Sequence, residues 1–233
     1  MMLHLLTDRR RLSPGTDEAV ATACLLEQAG YAVAAGLDVI QVRERDLEGR
    51  QLAQLTARLV ALTRGSRTRV VVNDRLDIAL AAGAHGVHLR GDSFDAARLR
   101  PCVPAGFLVG RSVHSPADAR AAGPVDYLIA GTVWATSSKP DGHPLLGPEG
   151  LAAVVAASAA PVLAIGGVQP DGGDRVAIAG AVGVAAIGIW MGGGSGCRAI
   201  ALDDLVRALR KAFETANMRQ YFFPSDGTRE AHH

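Results

Sequence analysis

Arg43 and Arg45, two residues apart in QVRER, would lie on one face of a strand. Paired guanidinium groups suit a diphosphate or a carboxylate, although Glu44 and Asp46 could instead make them a surface ion-pair cluster. Lys139 sits in TVWATSSKPDGHP, a loop that could close over an anion or simply be solvated. Gly166 and Gly167 in VLAIGGV, and Gly188 in GIWMGGGSG, either offer backbone amides to a phosphate or allow tight turns. In VVNDR, Asp74 could hold Mg2+ or cap the next helix, and the local pattern favours the cap. His114, in GRSVHS, is a candidate general acid/base or an ordinary helix-entry histidine.

These residues need a frame that brings them together. A small-residue helical stretch ending at glycine, followed by an apolar run, recurs at Gly36, Gly83, Gly123 and Gly180. Glycine just past a helix takes the left-handed conformation, and near-continuous apolar runs suit strands covered on both faces. The pattern predicts strands near 3–7, 39–44, 69–73, 86–90, 108–113, 127–131, 161–166 and 184–188. Helices are expected near 18–35, 48–63, 75–82, 94–99, 115–122, 148–158, 172–179 and 201–215. Strict alternation of this kind argues an α/β fold, a single (β/α)8 TIM barrel over residues 1–216, with a flexible C-terminal tail at 217–233. An open doubly wound sheet is the alternative, but no GxGxxG follows the first strand. In a barrel the site gathers at the C-terminal strand ends, where all the residues above fall. His88 alternates with Val87 and Leu89 and should face the barrel interior, as a satisfied polar core residue.

Composition narrows the function classes. Lys and Arg number 24 and Asp and Glu 23, which gives no support to a nucleic-acid or anionic-membrane binder. No run approaches the ~18 apolar residues of a membrane span. The three cysteines, Cys24, Cys102 and Cys197, form no CxxC, which argues against a disulfide framework or a zinc site and makes them apolar filler. The N-terminal charges follow the apolar stretch, unlike a signal peptide, so a cytoplasmic protein is expected.

QVRERD, VVNDRLDIALAAGAHGVHL, VGRSVHS, AGTVWATSSKPDGHPLLG and VLAIGGV occur in one order. With them, residues 3–190 resemble the thiamine phosphate synthase and thiazole tautomerase superfamily. The resemblance implies the barrel and a phosphorylated thiazole as small-molecule substrate, with a homodimer as the possible assembly. It implies substrate-binding roles for Gln41, Arg43, Arg45, Asn73, Ser112, Thr136, Lys139, Gly166, Gly167, Gly188 and Ile189.

Two activities share this pattern. Synthases couple a hydroxymethylpyrimidine diphosphate to thiazole phosphate, with Mg2+ on two aspartates. Here Asp74 matches the first, but VHLRGDSF has Ser93 where the second belongs and Asp92 one residue earlier. The tautomerase branch carries GxSVHS and needs only a proton removed and returned. The expectation is therefore a thiazole tautomerase, an isomerase with His114 as catalytic acid/base and no metal or cofactor. The alternative is the synthase, with Mg2+ at Asp74 and Asp92.

Overall fold

The computed structural model describes residues 1–191 and 202–222, without the side chains of 217–222. Eight parallel strands close into a barrel in sequence order. Each begins as a short apolar run: β1 (Met2–Leu6), β2 (Val39–Val42), β3 (Arg69–Asn73), β4 (Gly86–Leu89), β5 (Leu108–Val113), β6 (Tyr127–Ala130), β7 (Val162–Ile165) and β8 (Gly183–Ala186). The ring closes where β8 pairs with β1, with Ala186 beside Leu5.

Helices cover the outside: α1 (Arg9–Leu12), α2 (Glu18–Ala34), α3 (Gly49–Leu62), α4 (Leu76–Ala81), α5 (Ala96–Leu99), α6 (Pro116–Arg120), α7 (Gly147–Ala157), α8 (Gly173–Ile178), α9 (Gly188–Met191) and α10 (Asp203–Phe222). Their starts are written locally. Asp17 accepts the Val20 N–H at 2.8 Å, and Ser115 accepts from Asp118 ahead of Pro116. Their ends follow the predicted glycines, since Gly36, Gly83, Gly123 and Gly180 have φ of +76°, +66°, +75° and +81°.

Two layers of core result. Outward strand residues such as Leu5, Ile40, Val72, Val87 and Leu128 pack under the helices. Inward residues divide by arc: His4, Gln41, Asn73, His88 and Ser112 on β1 to β5, but Ile129, Leu163, Ile165 and Ala185 on β6 to β8. Among the described residues, no helix is long and apolar enough to cross a membrane.

The structure corrects several details. Strand β2 ends at Val42, because the Arg43 N–H leaves the ladder for Thr7 Oγ1 at 2.9 Å. Helices α1 and α9 were not expected, and the last helix runs to Phe222. Residues 223–233 of the expected tail, and the GGGSG run after Met191 with Cys197, lie outside the described residues. Cys102 is free and exposed, whereas buried Cys24 takes part in a disulfide bond and is not plain filler.

Candidate active site

A cavity of about 1180 Å³ opens at the C-terminal ends of the strands, and every strand supplies lining residues. It collects Gln41, Arg43, Arg45, Asn73, Asp92, Ser112, His114, Thr136, Lys139, Gly166, Gly167, Gly188 and Ile189. Asp74 is the one expected site residue outside its lining.

The β1–β2 corner fixes the two arginines. Arg9, fully buried, points Nη1 at Glu44 Oε2 (2.9 Å) and reaches both oxygens of Asp46. Its main-chain N–H also donates to Glu44, at 3.1 Å. Glu44 and Asp46 therefore serve Arg9, not Arg43 and Arg45, and the surface-cluster reading of QVRER fails. With Glu44 turned inward, Arg43 and Arg45 face the cavity from a loop and not from a strand. Burial, then the neighbouring Arg45 charge, lowers the Arg43 pKa against the pull of Asp8 and Glu44. An incoming anion relieves both strains.

The floor is polar but uncharged. His88 Nε2 meets Ser112 Oγ at 2.9 Å and its Nδ1 meets the Tyr127 hydroxyl at 3.2 Å. Gln41 Nε2 donates to Asn73 Oδ1 at 2.9 Å. Below them His4 and Tyr127 pack with ring centroids 5.5 Å apart. A side chain at Gly110 would run into the Tyr127 ring, so that position requires glycine. Burial drives the His88 pKa well below its usual 6.5, helped by neighbouring His4 and the Arg111 charge. Burial pushes His4 down to about 3, with only weak opposition from Gln41.

Glycines shape the β6–β8 side. Gly166 and Gly167 have φ of +98° and +69°. A Cβ on either would strike the β6 loop, at Thr132 and at the Ala135 carbonyl respectively. Their first requirement is thus close backbone packing. Gly188 differs: a Cβ there would meet only the mobile end of Arg11, with Nη2 at 3.1 Å. Helix α9 is pinned by Trp190, whose indole donates to His4 O (3.1 Å) while its carbonyl accepts from Gln28 Nε2 (2.7 Å). That holds the Gly188 and Ile189 backbone at the mouth.

His114 stands exposed at the rim, its Nδ1 donating to the Gly131 carbonyl. The ring therefore anchors the β6 loop. Nearby, the turn after β4 ties up both aspartates. Arg90 forks onto Asp92, with Nε 2.9 Å from Oδ1, and Arg90 Nη1 lies 3.7 Å from Asp74 Oδ2. Ser93 Oγ donates to Asp74 Oδ1 and accepts the Arg90 N–H at 3.0 Å. Asp74, at φ +59°, does not cap α4; Arg75 occupies that position without a cap bond. The cap expected from local sequence loses to this long-range turn.

The family model described as thiamine monophosphate synthase matches residues 13–189. The chain belongs to that family. It is 34% identical over 218 residues to a thiamine-phosphate synthase of Azorhizobium caulinodans, covering 93% of this chain and 96% of that one. It is 40% identical over 182 residues to the Methanoculleus marisnigri protein of that name, covering 77% and 86%. Among solved structures, the thiamine phosphate pyrophosphorylase from Pyrococcus furiosus superposes with a TM-score of 0.74 at 30% identity, covering 92% and 96%. These relatives carry transferase names, which overturns the expectation of a tautomerase and of isomerase chemistry at His114.

A two-carboxylate Mg2+ site, which the resemblance implies for a synthase, does not fit the residues present. The Asp92 carboxylate is held by Arg90, and Asp74 is flanked by the Ser93 hydroxyl and the Arg90 guanidinium. Mg2+ binds one or two free carboxylates with near-octahedral oxygen ligands.

Sequence reasoning missed Arg9, Arg11 and Arg90. Arg11 lines the cavity beside Gly188. Its signal was the basic run DRRRL directly after a strand end, where barrel sites collect. Arg90 stood in VHLRGDSF with no role read for it.

Proposed function

We propose that this family member is a transferase. It joins an aminopyrimidine bearing a CH2–O–diphosphate to the ring nitrogen of a thiazole phosphate, giving thiamine phosphate and diphosphate. One observation carries the reading: a single cavity brings Arg43, Arg45 and Lys139 together with the glycine-rich main chain at Gly166, Gly167, Gly188 and Ile189, above a polar floor. The first set would bind the diphosphate and the second the thiazole phosphate.

The C–O bond breaks with its electron pair passing to the diphosphate. The thiazole nitrogen lone pair closes the new C–N bond, and no proton is gained or lost. Arg43, Arg45 and Lys139 take up charge developing on the leaving group, in place of water. The ring left behind carries positive charge. Neutral His88 and His4 add none beneath it, which is why their lowered pKa values matter. Ser112, Gln41 and Asn73 orient the ring, with Thr136 and Ile129 at its edges.

The test mixes purified protein with both substrates, in Mg2+ and in EDTA, and follows thiamine phosphate by chromatography. Product is expected; none under either condition would overturn the proposal. His114→Gln should lower kcat less than about 10-fold, against the 10²–10⁴-fold loss typical of a general acid/base. A larger loss would return a proton-transfer role to His114.

The two glycine sites should separate binding from folding. Gly188→Ala leaves the fold intact but obstructs the phosphate, so the thiazole phosphate KM should rise about 10-fold or more, the worth of one charged hydrogen bond. Gly167→Ala should lower the melting temperature, because its Cβ meets the Ala135 carbonyl. An unchanged KM in Gly188→Ala would remove that backbone from the site.

A further inference from the structure

We propose that Arg90, beside Asp74 and Asp92, is a built-in cation for the substrate diphosphate and takes the charge-neutralising role a divalent ion would otherwise have. The inference rests on the transferase reading and concerns how that site meets its anion.

Arg90 immediately follows β4, and with Gly91 and Asp92 it lines the same cavity as Arg43, Arg45 and Lys139. Its guanidinium lies between two carboxylates, forked onto Asp92 and 3.7 Å from Asp74. The Ser93 hydroxyl holds the turn closed by joining the Arg90 N–H to Asp74. A backbone bond from Ser93 N–H to Arg90 O, 3.3 Å, completes it.

This arrangement has the charge order of a metal site with the metal replaced. A cation sits at the mouth, aspartates flank it, and the remaining oxygen donor is a hydroxyl where a carboxylate would attract Mg2+. The Arg90 side chain is 52% exposed, so a diphosphate can compete with the solvated Asp92 for its donors. A guanidinium offers the planar, bidentate recognition that phosphate oxygens take. A tethered cation also needs no assembly from solution before the anion arrives.

Inorganic pyrophosphate, one of the two products, serves as the probe, so binding is read without turnover. Titration calorimetry in EDTA should show wild-type binding, weakened about 10–100-fold in Arg90→Gln, as for a lost charge-assisted hydrogen bond. Adding free Mg2+ should change wild-type affinity less than about 3-fold. The double variant Arg90→Gly with Ser93→Asp should bind pyrophosphate weakly in EDTA and regain affinity with Mg2+. Thermal melts confirm that each variant is folded.

Wild-type binding that needs Mg2+, or Arg90→Gln binding as tightly as wild type in EDTA, would overturn the inference. Failure of the transferase reading looks different. There, pyrophosphate binding would still depend on Arg90, while no thiamine phosphate forms from the substrate pair.

Discussion

Arg9→Met should cost about 3–5 kcal/mol of folding stability near neutral pH, the usual penalty for stranding one member of a buried ion pair. Arg9 and Glu44 have side-chain exposures of 1% and 3%, so water cannot replace the lost partner. Against a typical total of about 5–15 kcal/mol, that is a large share. Burial already raises the Glu44 pKa above its ordinary value, with Thr7 and Arg9 opposing it. Without the guanidinium the rise grows. A carboxyl whose folded pKa is raised destabilises the fold above that pKa and stops doing so as pH falls through it. The variant's deficit should therefore shrink between about pH 7 and pH 5. Urea unfolding at several pH values reads this directly. A deficit below about 1 kcal/mol at neutral pH would mean that the pair is dispensable. Because Glu44 lies between Arg43 and Arg45, the variant should also bind pyrophosphate more weakly.

Stability of the unaltered chain should fall steeply in mild acid. Folded His4 has a pKa of about 3, and His88 is also well below 6.5. Both stay neutral when folded but bind a proton when unfolded. Their stabilisation is complete above the unfolded pKa and is lost progressively below it, at about 1.4 kcal/mol per pH unit for each group. For His4 alone that is a loss of about 2–3 kcal/mol over two pH units below ~6.5, and His88 adds to it. His85, lowered mainly by burial, adds to the loss, while Glu44, raised by burial, acts against it. Asp46, lowered to about 2, acts only in stronger acid. His4→Leu should flatten the slope, since Trp190 bonds to the His4 carbonyl and not to its ring. Equal stability at about pH 7 and pH 5 would refute the account.

The barrel was readable because its rules are local. Parallel strands covered on both faces are apolar runs, and the left-handed glycines at Gly36 and Gly180 mark where helices stop. Features set across long chain separations were not readable. Strand β2 stops at Val42 because Thr7, 36 residues away from Arg43, accepts its N–H. Asp74 looked like a cap until the turn at Arg90 and Ser93 claimed its carboxylate. His114 was picked out by a short motif, and its ring also holds the Gly131 carbonyl, a contact that no local spacing encodes.

The packed rings of His4, His88 and Tyr127 have one more effect. Tyr127 over Gly110, with Leu163 and Ala185 beside it, stoppers the barrel, leaving a well with one entrance. For the two-substrate transfer proposed above, a single doorway would impose a queue. Whatever rests on the floor must arrive before the molecule that covers it. The fragment nearest the rim must depart before the deeper one is free. The sequence of arrivals and departures would thus follow from the aromatic residues that close the far end of the barrel.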